Sequence, residues 1–218
     1  MLAVPATTVS SVPPSLAPIN LAVSASPTAL LAPARTSLTV RTAQLNVLEG
    51  RTATVSGTLT DAHHKGLARR VVVLQALGNH GWHRLARART AANGRFRFLY
   101  RAGTIGTQLV RVGFPGDPLD LASRRSIGRL NVFRLAGASW YGGGGSLACG
   151  GTLTSSTLGV ANKTLPCGTL VTLRYGGHTV RVPVIDRGPY VEGREFDLTE
   201  ATKQALGFGD TGDVWSTR

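Results

Sequence analysis

Two carboxylates, Asp186 and Asp197, are the residues of this chain whose type and spacing best suit acid–base chemistry. Asp186 closes an apolar run (Val180, Val182, Val184, Ile185) that reads as a buried strand. A charge, Arg187, and a Gly188–Pro189 turn follow at once. Asp197 comes just before a short predicted helix. Strand end, turn, strand, acid and helix start can place two acids near one another at the mouth of a small barrel. A rigid frame of that kind suits the giving and taking of a proton. The structural alternative is that Asp186 caps its turn and Asp197 orients Arg187 or Arg194.

The elements that must hold these acids read as strands. Thr169–Tyr175 and His178–Ile185 form a predicted hairpin around Gly176–Gly177. Thr199–Leu206 is a predicted helix with Thr199 as N-cap, Glu200 in the first turn and Gly207 as its stop. Asp213–Thr217 would close the sheet. Upstream, residues 37–134 read as an antiparallel sandwich of six or seven short strands. Among them are Thr52–Leu59, Val71–Leu74, Trp82–Ala88, Arg95–Phe98, Leu109–Phe114 and Leu130–Phe133. Asn93–Gly94 is a hairpin signal. Arg95, Arg97, Arg101 and Arg111, with apolar neighbours facing inward, would make a basic sheet face. Leu135–Gly137 reads as a joint between domains. Residues 1–36, punctuated by six prolines from Pro5 to Pro33, read as a disordered spacer or a signal remnant.

Formal net charge is +13. Between Ser37 and Arg134 there are 16 Lys and Arg against 4 Asp and Glu; from Leu135 to Arg218 there are 7 of each. The basic excess thus lies outside the barrel region, where it favours polyanions or is simply solvated. No nucleic-acid motif accompanies it. His63, His64, His80 and His83 read as loop histidines, and no cofactor or metal is expected. No apolar run reaches membrane-spanning length. The run Gly142–Gly145 lacks the residues of a phosphate loop and reads as a sharp turn at a barrel rim. Trp140 and Tyr141 before it could line a glycan groove or pack in a core.

Four motifs occur in order: Ala138–Gly142 (Ala-Ser-Trp-Tyr-Gly), Asn162–Thr169 (Asn-Lys-Thr-Leu-Pro-Cys-Gly-Thr), Asp186–Tyr190 (Asp-Arg-Gly-Pro-Tyr) and Asp197–Thr199 (Asp-Leu-Thr). Together they resemble the RlpA-like (rare lipoprotein A) double-psi beta-barrel family over residues 136–218. The barrel of bacterial expansins shares the two-acid spacing. The Ser37–Arg134 region resembles the Ig-like modules of bacterial surface proteins. The fold class expected is therefore all-β: an Ig-like sandwich over 37–134 followed by a six-stranded double-psi barrel over 135–218, with one short helix. The resemblance implies a secreted or envelope protein, peptidoglycan glycan strands as partner and lytic transglycosylation as the activity. It implies Asp186 as acid/base and Asp197 as its partner; the expansin-like analogy would swap the two. Arg187 and Tyr190 would hold the glycan, Lys163 would contact an acidic substituent, and anionic wall polymer would bind the basic sandwich. Cys149 and Cys167, alone in the chain, would form a disulfide in an oxidising compartment; two buried thiols are the alternative.

One position departs from the family pattern. Asn162 stands where the family carries a catalytic His, and an amide hydrogen-bonds but does not titrate. The chain is thus read as a wall-lytic transglycosylase or, alternatively, as an expansin-like module that grips glycan without cutting it. A third reading is a polyanion-binding surface protein whose barrel is only scaffold. Replacing Asn162 by His would be expected to raise any lytic activity.

Overall fold

Period-two alternation builds most of this chain into strands. The computed structural model describes residues 1–3 and 32–218, and the spacer expected over 1–36 falls largely outside the described residues. The first strands are β1 (Thr36–Gln44), β2 (Asn46–Leu48), β3 (Thr52–Asp61), β4 (Val71–Gly78), β5 (Gly81–Arg89), β6 (Arg95–Arg101), β7 (Gly106–Phe114) and β8 (Ser123–Tyr141). One antiparallel sheet runs β1-β3-β6. The facing sheet runs β5-β4-β7-β8, with β2 added parallel to β8. Strand β6 shows why the two sheets meet. Its Phe96 and Phe98 are buried while Arg95, Arg97 and Leu99 are exposed. The phenylalanines pack with Leu59, Val72, Leu74 and Val112 from both sheets. Removing a ring of this kind typically costs about 3–5 kcal/mol.

Three local expectations change here. Asn93–Gly94 makes a turn but not a hairpin, because β5 pairs with β4 and β6 pairs with β3. The turn carries the chain from one sheet to the other, so that Phe96 and Phe98 face the core. A Cβ on Gly94 would lie 2.3 Å from the Leu59 carbonyl oxygen, which is why glycine is needed there. Arg111, on β7, does not share a face with Arg95, Arg97 and Arg101: β6 and β7 lie in opposite sheets. Leu135–Gly137 is not a joint. These residues lie inside β8, which continues unbroken from the sandwich into the barrel.

The remaining elements are β9 (Gly145–Ser146), β10 (Thr152–Leu153), β11 (Val160–Ala161), β12 (Leu170–Tyr175), β13 (His178–Asp186), β14 (Phe196–Thr199), α1 (Glu200–Leu206) and β15 (Gly212–Ser216). Six strands close a ring in the order β8-β14-β11-β13-β12-β15, since β15 pairs back onto β8. Closure leaves no sheet edge. Ala136, Ala138, Val160, Leu173, Val182, Val184, Phe196 and Leu198 fill its interior. Thr199 caps α1 by accepting from Thr202 N, and Gly207 ends the helix at φ 63°. Phe133 of β8 stacks on Trp215 of β15 at 5.8 Å, where sandwich and barrel adjoin.

Candidate functional site

The ring topology decides what Asp186 and Asp197 can do. Ala161 of β11 is in register with Asp186 on one side and with Asp197 on the other. Asp197 is in turn opposite Ser139 of β8. Asp186, Ala161, Asp197 and Ser139 therefore form one row across four adjacent strands. Two strand spacings put the acids' Cα atoms about 10 Å apart. The residue between them, Ala161, is small and buried. That the two acids lie near one another was expected from the sequence; that Ala161 stands between them and Ser139 beside Asp197 was not, because the pairings of β11 and of β8 join segments up to nearly sixty residues apart.

Each acid is held by neutral donors. Asp186 Oδ1 accepts from the Ala148 and Arg187 backbone N–H groups, both at 2.9 Å. The Ser139 hydroxyl donates to Asp197 Oδ1. Neither acid pairs with Arg187 or Arg194. Arg187 instead donates to the carbonyl oxygens of Asn162 (3.1 Å) and Leu165 (3.0 Å), and to Cys167 Sγ (3.2 Å). It clamps the Asn162–Cys167 loop.

Tyr141 stands two residues beyond Ser139 on the same face of β8. Its hydroxyl is buried and has no hydrogen-bond partner among the described residues. Burial pushes the phenol far above its ordinary range, and the charges of Asp186 and then Asp197 push it further. The Asp186 carboxylate approaches the hydroxyl but stops short of a hydrogen bond. A protonated phenol thus lies within electrostatic reach of both carboxylates, without a hydrogen-bond partner among the described residues. An unsatisfied buried hydroxyl costs about 1–3 kcal/mol, so Tyr141→Phe should unfold no earlier than wild type, or later. Earlier unfolding of the variant would make Tyr141 a packing residue whose hydroxyl is satisfied.

The other expected site residues divide. Trp140 alternates with Ser139 and Tyr141 on β8 and is parted from the acids. Its indole N–H donates to Asp210 Oδ1 at 2.9 Å, and the Lys203 ammonium lies 3.8 Å from its ring centroid. Lys203, then the indole N–H, holds the Asp210 carboxyl below the usual range. Tyr190 is 80% exposed beyond the cis Gly188–Pro189 bond, and Lys163 is exposed on the loop after β11. Asn162 is buried. Its Oδ1 accepts from Thr164 N (3.0 Å) and Leu165 N (2.8 Å), and its Nδ2 donates to Glu195 O (3.1 Å).

The expected disulfide is formed. Cys149 and Cys167, 5.6 Å apart at Cα, tie the glycine-rich loop to the Asn162–Cys167 loop. The bond closes a segment of 18 residues. A loop of that size stabilises by about 3 kcal/mol. Thiol titration of the unreduced, denatured chain should find no free thiol, and two thiols would sink the pairing. His63 and His64 lie in the turn after β3 and His80 in the turn between β4 and β5, but His83, expected in a loop, lies on strand β5. Among the described residues, no three His, Cys, Asp or Glu side chains are grouped to hold a metal. Among the described residues, no helix is long and apolar enough to cross a membrane.

Residues 135–214, which hold most of the six-stranded ring and all four motifs, match the family described as lytic transglycolase, and in this stretch the chain is similar to RlpA-like double-psi beta-barrels. "Probable endolytic peptidoglycan transglycosylase RlpA" of Aquifex aeolicus is 43% identical over 75 residues, covering 32% of this chain and 33% of its own. Endolytic peptidoglycan transglycosylase RlpA of Pseudomonas aeruginosa is 38% identical over 87 residues, covering 37% and 26%. The chain thus spans a third or less of the length of these curated relatives. Among solved structures, the Streptomyces papain inhibitor shares 26% identity over 38% of this chain and 91% of its own, at a TM-score of 0.32. The sandwich lies outside the family match.

Proposed function

We propose that the barrel cleaves peptidoglycan glycan strands as a lytic transglycosylase, in an extracytoplasmic setting. The observation that carries this reading is the row of Asp186, Ala161, Asp197 and Ser139, with the Tyr141 hydroxyl against both acids. Asp186 gives its proton to the glycosidic oxygen as the bond from C1 breaks. The sugar's own 6-hydroxyl attacks C1, and the Asp186 carboxylate takes the hydroxyl proton. The product is a 1,6-anhydro ring, no water is consumed, and the acid is restored. Asp197, fixed by Ser139, supports the charge that develops beside Asp186. Tyr141, Tyr190 and the loop clamped by Arg187 line the path of the strand. The Cys149–Cys167 disulfide supports the oxidising location. Incubating the protein with purified sacculi should release anhydro-muropeptides, detected by mass spectrometry. Intact sacculi that still retain the protein would leave binding alone.

That second reading, an expansin-like grip without cleavage, is favoured by Asn162. Its amide is engaged entirely with backbone groups and supplies no proton. In either reading the basic sandwich would adhere to anionic wall polymer. Binding of the full chain to such polymer should weaken steeply between about 50 and 500 mM salt, because surface charges separated by more than a Debye length are screened. Salt-independent retention would make the basic excess incidental.

A further inference from the structure

The barrel's formal charge is balanced, with 7 Lys and Arg against 7 Asp and Glu from Leu135 to Arg218. The balance breaks at one place. A cavity of about 430 Å³ is lined by Arg134, Lys163, Arg194 and Arg218, with Glu195 and Asn162. Three of the barrel's seven cations meet there with Arg134, around one of its seven acids. That acid is already engaged: Arg134 donates to Glu195 Oε2 at 2.8 Å and also to Oε1. Glu195 in turn raises the pKa of Arg134, fixing both charges in place. Among the described residues, Lys163, Arg194 and Arg218 make no ion pair. Uncompensated cations in a concavity focus field lines and gather anions.

The cavity is close to the acid row. Asn162 directly follows Ala161, which stands between Asp186 and Asp197 in register. Glu195 precedes Asp197 by two residues on the chain entering β14. Lys163 follows Ala161 by two residues and Arg194 precedes Asp197 by three, so these cations begin about 7–10 Å along the strands from the acid row. That is the reach of a substituent on a sugar bound at the acids, not of a separate ligand.

We propose that this cavity binds an anionic substituent, a carboxylate or a phosphate, on a sugar flanking the bond held at Asp186. The proposal rests on the glycan reading above. It makes Arg194 and Arg218 specificity residues and gives Lys163 a defined part. A neutral strand would engage the acids but leave the cations solvated.

The test uses the full chain carrying Asp186→Asn, which keeps the ligand intact. Three glycan tetrasaccharides are titrated calorimetrically at low salt: one with free lactyl carboxylates, one with those groups blocked as methylamides, and one blocked but phosphorylated at a 6-hydroxyl. A charge-assisted contact typically contributes enough to favour an anionic ligand about tenfold over the neutral one. Whether the carboxylate or the phosphate gains more identifies the source of the anion. Adding Arg194→Gln should collapse the preference. Lys163→Gln, on a different and exposed loop, should reduce it in a chain whose folding is not in question. Equal affinity for all three ligands would overturn the proposal and leave the glycan reading standing, as would a preference that survives both substitutions. If no tetrasaccharide binds, the glycan reading falls and takes this proposal with it.

Discussion

Asp186→Asn should cut the release of anhydro-muropeptides from sacculi by about 10²–10⁴-fold, the usual loss when a positioned acid–base group is removed. The substitution is conservative in structure. Asp186 Oδ1 accepts two backbone N–H groups, from Ala148 and Arg187, and an amide oxygen accepts the same two. The glycine-rich loop therefore stays anchored, and thermal unfolding should shift by no more than a few degrees. Asp186→Ala would confound the test, because it removes the proton and the anchor together. Asp197→Asn, which keeps the Ser139 contact, assigns the roles. A larger loss there than at Asp186 would make Asp197 the acid. Unchanged cleavage in both variants would remove the two acids from the chemistry.

Asn162→Ala should lower stability by about 2–4 kcal/mol, measured by chemical unfolding. Three backbone groups lose their partner at once: Thr164 N, Leu165 N and Glu195 O. Each typically costs about 1–3 kcal/mol when fully buried, and less here because part of the loop reaches water. Asn162→His bears on chemistry as well. An imidazole can donate one hydrogen bond and accept one, so one of the two N–H groups loses its acceptor. The variant should therefore unfold earlier than wild type, even where its titrating ring speeds cleavage. A fully stable Asn162→His chain that cuts faster would show that the amide limits turnover without holding the loop. A stable Asn162→Ala chain would show that Arg187 alone holds it.

Local chemistry made much of this fold legible beforehand. The hairpin at Gly176–Gly177, the Thr199 cap, the Gly207 stop and the buried faces of β4 and β6 follow from residue type and period. What failed to show was long-range partnership. Asn93–Gly94 has the composition of a hairpin turn, but no residue near it says that its flanking strands join different sheets. Gly137 looks like a flexible joint. Its missing Cβ instead admits the Gly193 carbonyl oxygen, which an added Cβ would meet at 2.2 Å. Asp186 and Asp197 stood out by type. Their row with Ser139 emerged only from strand pairing, and the unpartnered hydroxyl of Tyr141 only from its burial. Trp140, chosen for its aromatic face, was placed elsewhere by the alternation of β8.

Strand β8 runs for 19 residues and belongs to both halves of the molecule. A tethered barrel would sweep through a volume and meet its polymer wherever diffusion took it. A shared strand allows no such search. Arg129 in the sandwich and Ser139 beside Asp197 lie on one extended backbone, about 33 Å apart at strand rise. The part that would adhere and the part that would act are thus held at a fixed offset, like the jaws of a caliper. Where the sandwich settles on a wall polymer would then determine which bond comes to rest over the acids. Sites of cleavage would be spaced by the protein rather than chosen at random along the strand.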